Sequence, residues 1–143
     1  MVNAQKYALA LKQRLEQMGN MRFQPPVSAE EIRIFESMNQ LTLPVEYKSW
    51  LMVSDGGELD LPAGVQLYGV VHNPLIDTND DDRPNDNYIV IGTLASGDPI
   101  LFQKGNESIS IFDHGSGVIH NDEIYSSFFS FVKENLNIHW TGA

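Results

Sequence analysis

The sequence predicts an α+β domain: helices first, then a mainly antiparallel β-meander, then one closing helix packed on the sheet. Apolar residues recur at helical spacing through the first third, give way beyond Gly57 to short β-branched and aromatic runs, and return to helical spacing near the C terminus. Elements segregated in this way pack as α+β rather than as alternating βαβ units. A chain of 143 residues with 42% hydrophobic content can bury one core as a single domain, residues 1–143.

Tyr7, Leu11, Leu15 and Met18 draw one apolar stripe on a helix expected over residues 3–18, which Gly19-Asn20 stops. Phe23 and the Pro25-Pro26 pair form an extended link, because each proline disfavours helix at the residue before it. Ser28 and Glu31 have capping-box spacing and open a second helix with Ile32, Phe35 and Met38 on one face. Pro44, expected at a first helical position, opens a third, with Tyr47 and Leu51 inward and Trp50 in the core; Asp55-Gly56-Gly57 ends it.

Strands are expected at Leu67-Tyr68-Gly69-Val70-Val71, Tyr88-Ile89-Val90-Ile91, Pro99-Ile100-Leu101-Phe102 and Ile109-Ser110-Ile111-Phe112, with a further short one at Val118-Ile119-His120. Their close spacing and tight turns imply antiparallel pairing; only the polar loop over residues 73–87 is long enough for a crossover, leaving that one pairing open. A final helix over residues 123–135 turns Ile124, Phe128, Phe131 and Val132 inward.

Net charge is −10 and unevenly spread: residues 1–48 hold six basic and five acidic side chains, residues 49–143 three and fourteen, or +1 against −11. Such a field repels phosphate backbones and anionic lipid, so neither nucleic acid nor membrane is an expected partner, and it attracts basic proteins. Solubility alone also accounts for acidity of this kind. Cysteine is absent, which excludes disulfides, thiol chemistry and cysteine zinc sites and fits a reducing cytoplasm. Lys6, Lys12, Arg14 and Glu16 interrupt the apolar pattern of the first helix, so it does not read as a signal peptide; the expected location is cytoplasmic.

Catalytic constellations are missing. Asp77, Asn79 and Asp81 have the opening spacing of a calcium loop, but Asp82 stands where the turn glycine belongs and Tyr88 where the bidentate glutamate belongs. His114 and His120 flank a turn near Asp113 and Asp122 without a clear third metal ligand, and His72 and His139 stand alone. Ser96 and Ser116 sit in turns rather than in a nucleophile elbow. No enzyme activity, metal or cofactor is expected, which leaves binding of another protein.

Leu43-Pro44, Tyr47, Trp50-Leu51 and Asp55-Gly56-Gly57 at fixed spacing, preceded by a capped helix with Glu36 and followed by strands bearing Gly69, Gly92, Gly97-Asp98 and Pro99, resemble the SMI1/KNR4 family of the SUKH superfamily over residues 25–136. Asp55 stands where that family often has asparagine, and Trp50 where it often has phenylalanine. The resemblance implies a compact α+β fold and, for most bacterial members, an immunity protein that neutralises a cognate toxin domain, often a nuclease, by stoichiometric binding. The alternative is an intracellular adaptor or scaffold with no toxin partner, as the eukaryotic relatives suggest; a calcium or small-molecule sensor using the acidic loop is a third reading.

The expected contact surface is the acidic loop with Asp77, Asp80, Asp81, Asp82 and Asp86, neighboured by Tyr88 and the turn acids Asp98 and Asp113. A monomer is the default, with a dimer through the first helix as the alternative.

Overall fold

The structure is a computed structural model and describes residues 4–59, 64–72, 75–78 and 83–136. In chain order its elements are α1 (Ala4–Met18), α2 (Ala29–Asn39), α3 (Val45–Leu51), β1 (Gly57–Leu59), β2 (Val65–Leu67), β3 (Tyr88–Thr93), β4 (Pro99–Gln103), β5 (Ile109–Asp113), β6 (Val118–Tyr125) and α4 (Phe128–Asn135). The strands form one sheet in the order β1-β2-β3-β4-β5-β6, every neighbouring pair antiparallel. The predicted α+β class and meander hold, and the pairing left open, β2 with β3, is antiparallel as well.

Helix α1 buries Ala8, Leu11 and Leu15, and Tyr7 stacks on Phe129 with ring centroids 4.4 Å apart. Met18, expected in this stripe, is 41% exposed on the last turn. Gly19 and Asn20 take left-handed φ values of 76° and 58°, the conformation that ends a helix and suits glycine and asparagine. The capping box of α2 forms as expected: the Ser28 hydroxyl accepts from the Glu31 amide at 3.1 Å, and Glu31 Oε1 accepts from the Ser28 amide at 3.0 Å. Ile32 is buried, but Met38 is 79% exposed rather than inward. Two successive steps of three residues rotate by about 600°, which leaves Met38 about 120° from Ile32 around the helix.

Pro44 is the N-cap of α3 rather than its first helical residue. The Glu107 carboxylate, from the β4–β5 turn, accepts from the Val45 amide at 2.9 and 3.0 Å, and Glu36 Oε2 accepts from the Leu43 amide at 2.7 Å. The helix closes at Leu51, ahead of the expected stop at Asp55-Gly56-Gly57, and its end tightens as the Val53 amide reaches the Trp50 carbonyl three residues back at 2.9 Å. Trp50 is fully buried, as expected, and its indole Nε1 donates to the Gly56 carbonyl at 3.0 Å.

The sheet is apolar on both faces. Ile89, Ile91, Ile100, Phe102, Ile109 and Ile111 join the helices in the main core, while Val90, Leu101 and Phe112 form a second cluster with Tyr68, Tyr88 and Ile119 against it. That division is the period of two along each strand, and it explains runs with no polar alternation. Each fully buried Leu, Ile or Phe contributes about 1.5–3 kcal/mol through the area it removes from water. A register shift between Val90 and Gly92 marks a bulge in β3, and a Cβ on Gly92 would stand 2.2 Å from the Gln66 carbonyl oxygen of β2.

Further strand and helix boundaries differ from expectation. The run from Leu67 to Val71 is not one strand: the register with β3 ends at Leu67, the Tyr68 amide still donates to the Ile91 carbonyl at 2.8 Å, and the unforeseen β1, only three residues long, lies outside β2. Strand β6 continues to Tyr125, so Glu123 and Ile124 are strand residues and Ile124 is 49% exposed instead of inward. Helix α4 begins at Phe128, where the Ser127 side chain caps it by accepting from the Ser130 amide.

Candidate partner-binding surface

Past Tyr68 the chain leaves the sheet, and a carboxylate brought by the turn after α3 holds it. Asp55 is 1% exposed. Its Oδ1 accepts from the Val70 amide at 2.7 Å, and its Oδ2 from the Val71 and His72 amides at 2.9 and 2.8 Å, with His72 Nδ1 also 2.8 Å away. The carboxylate occupies the place of a side chain at position 69: a Cβ on Gly69 would lie 2.4 Å from Asp55 Cγ. The Tyr47 hydroxyl donates to the Tyr68 carbonyl beside it. Burial and the neighbouring Asp55 charge push the Tyr47 phenol well above its ordinary value of 10.0, so it stays a neutral donor.

The strapped segment forms one wall of an open groove of about 690 Å³ whose other wall is α2. Ile34, Phe35 and Met38 face Val70, Val71, Leu75 and Ile76 across it, and Glu31 and Asp77 are the ionisable lining residues among those described. Ile34, Met38, Val71 and Leu75 are 50%, 79%, 51% and 46% exposed. By spacing Met38 belongs to the face of Ile32 and Phe35, and no binding role is legible for the other three, although apolar residues left over from two elements are the signal a groove leaves.

The predicted contact residues fall into two sets. Asp77 and Val90 exchange backbone hydrogen bonds at 3.1 and 3.2 Å, which sets Asp77 against the edge of β3. Asp86, with a fully exposed side chain, and Tyr88 lie at the start of the same strand, and Arg83 joins them by donating to the Tyr88 carbonyl at 2.7 Å and approaching Asp86 Oδ1 at 3.4 Å. Asp98, in the β3–β4 turn, and Asp113, the last residue of β5, sit at the opposite end of the sheet, the length of β3 or about 17 Å away. Asp80, Asp81 and Asp82 lie outside the described residues, as do His139, Trp140 and Asn79 of the calcium-like spacing.

Asp98 and Asp113 also hold their own turns. The Asp113 carboxylate accepts from the Gly115 and Ser116 amides at 3.0 and 3.2 Å and pairs with His120 Nε2 at 3.0 Å; Asp98 pairs with the His114 ring and accepts from its amide at 3.2 Å. Burial works to raise Asp98, but hydrogen bonds from the His114 amide and ring and from Ser96 outweigh it and lower the carboxyl. The His120 hydrogen bond, with those of the turn amides, lowers Asp113 from 3.8 to about 2, and Asp113 in return raises His120 from 6.5.

A raised histidine stabilises the fold below its ordinary value and stops doing so as pH climbs through the raised one. A lowered carboxyl stabilises above its ordinary value and stops as pH falls toward about 2. The Asp113–His120 pair is therefore at full strength between 3.8 and 6.5. An NMR titration of His120 is expected to give a midpoint above 6.5, and Asp113→Asn to remove most of the rise, leaving the smaller contributions of Glu123 and Asp122. A wild-type midpoint at or below 6.5 would show that the pair does not form in solution.

Among the described residues no three His, Asp or Glu side chains gather in a way that could hold a metal ion, and no helix is long and apolar enough to cross a membrane. Ser96 bonds Asp98 in its turn and Ser116 donates its amide to Asp113, with no histidine base reaching either hydroxyl among the bonds described.

Helices backing a six-stranded antiparallel meander, with a buried carboxylate strapping the chain beyond β2, define a small α+β domain with a groove at its side. The chain belongs to the SMI1 / KNR4 family (SUKH-1), whose model matches residues 26–134. No curated protein matches the sequence.

Proposed function

We propose that this chain is an immunity protein that binds a cognate bacterial toxin domain, a basic nuclease, one to one and thereby neutralises it. The observation that carries the reading is the family match over residues 26–134, because immunity is the role that membership implies for most bacterial relatives. The charge supports the choice of partner: residues 49–143 hold fourteen acidic and three basic side chains, and a nuclease domain is basic wherever it holds nucleic acid. Asp77, Asp86 and Tyr88 at one end of β3, with Asp80, Asp81 and Asp82 of the same loop, are the proposed steering surface. Asp98 and Asp113 at the far end add to the long-range field.

Calorimetric titration against the toxin domain encoded beside this gene, inactivated in its active site, tests the reading. One-to-one binding in the nanomolar range is expected, weakening as salt rises from about 50 to 200 mM because steering charges are screened over a Debye length of about 10 Å. Absence of binding at low salt overturns it in favour of an adaptor without a toxin partner.

A further inference from the structure

The groove between α2 and the segment strapped by Asp55 has walls of unusual uniformity. On one side stand side chains of a capped helix; on the other, a chain five of whose amides are bonded inside the fold. Those of Val70, Val71 and His72 go to Asp55, that of Ile76 to the Gly69 carbonyl at 2.9 Å, and that of Asp77 to Val90. Those five amides are not open to a partner strand, which disfavours main-chain pairing along this wall. A partner laid here finds apolar side chains, four of them 46–79% exposed, in a volume of about 690 Å³. A segment that satisfies its own backbone and offers only side chains is a helix.

Charge selects among helices. The ionisable lining residues, Glu31 and Asp77, are both acidic, and the chain carries −10 overall. An acidic helix is repelled, and a second copy of this chain brings a like-charged surface to the same place. We propose that the groove seats an amphipathic helix of the partner protein, with its apolar stripe against Ile34, Met38, Val71 and Leu75 and with Lys or Arg beside that stripe facing Glu31 and Asp77. This rests on the protein-binding reading above but assigns the anchoring energy to the groove, leaving the acidic strand end to speed encounter. Exposed charges chiefly raise the association rate, whereas desolvated apolar anchors set the dissociation rate.

The test is Met38→Arg combined with Val71→Arg, at positions exposed enough that the fold tolerates the change, with Ile124→Arg on β6 as a control for losing any exposed apolar residue. Melting temperature and circular dichroism verify folding of each variant. Titration with the inactivated toxin domain is expected to show about a 100-fold loss of affinity for the double variant and less than about a threefold loss for the control. Equal affinity of wild type and double variant overturns the groove while the immunity reading stands.

If the toxin domain does not bind wild type, the immunity reading fails, and a synthetic Leu/Lys amphipathic helix judges the groove by NMR. Shifts centred on the methyl groups of Ile34, Met38, Val71 and Leu75 support it, and their absence overturns it. A wild-type dimer in sedimentation that the double variant dissolves assigns the face to self-association and also overturns the proposal.

Discussion

Asp55→Ala is expected to lower the free energy of unfolding by about 3–5 kcal/mol, read from the midpoint of urea denaturation at neutral pH. The side chain is 1% exposed and receives three backbone amides and the His72 ring. Removing an acceptor from buried donors costs roughly 1–3 kcal/mol for each donor stranded, and the Val70 amide is buried while the other two are half-buried. Asp55→Asn keeps the shape but only one accepting oxygen, and its amino group would face donors; a loss of about half that size is expected. The family often has asparagine here, so the measurement also shows whether this chain's aspartate and His72 work as a unit: His72→Ala should cost little in the Asp55→Asn background and more in wild type. An Asp55→Ala variant within about 1 kcal/mol of wild type would mean that the 70–72 segment does not depend on its strap.

Trp50→Ala is expected to cost about 4–5 kcal/mol, at the upper end for loss of a large buried aromatic. The indole is fully buried, its ring stands 6.2 Å from both Phe23 and Phe128, and its Nε1 donates to Gly56. It therefore joins α3, the link before α2, Gly56 just ahead of β1, and α4. Domains of this size hold about 5–15 kcal/mol in total, so roughly a quarter or more of the stability rests on one side chain. Trp50→Phe should cost only about 1–2 kcal/mol, because the Gly56 carbonyl keeps its bond from Ser54 Oγ at 2.8 Å. Circular dichroism is the readout, since fluorescence would report the substituted tryptophan itself; a loss below 2 kcal/mol for Trp50→Ala would contradict the packing described.

Elements whose signal is local were legible in the sequence. The Ser28–Glu31 box, the Gly19-Asn20 stop, the α1 stripe as far as Leu15 and the cores of β3, β4 and β5 depend on a few adjacent residues, and each stands where its residues predicted. Where neighbours further along the chain decide, the local signal misleads. Ile124 and Phe128 have the spacing of a helix face, yet pairing with Ser110 keeps Ile124 in β6, and the helix waits for the Ser127 cap. Strand β1 has three residues and too little period of its own to announce itself; its partners β2 and Arg22, whose amide and carbonyl bond Glu58 at 2.8 and 2.7 Å, create it.

The binding surface divides in the same manner. Acidity, the absence of cysteine and of catalytic spacing, and the ordered motifs of the SUKH family are properties of the chain read in a line, and they were enough to name the family and to expect a basic protein partner. Distance along the chain carries no information about distance in space, so the separation of Asp98 and Asp113 from Asp86 and Tyr88 by the length of a strand appeared only with the sheet. The same holds for Asp55: in sequence it is a helix-ending residue before two glycines, and only the fold brings the amides of Val70, Val71 and His72 onto its carboxylate. The groove follows from that strap, because an apolar residue such as Val71 or Met38 becomes a surface only when tertiary packing leaves it without a core to enter.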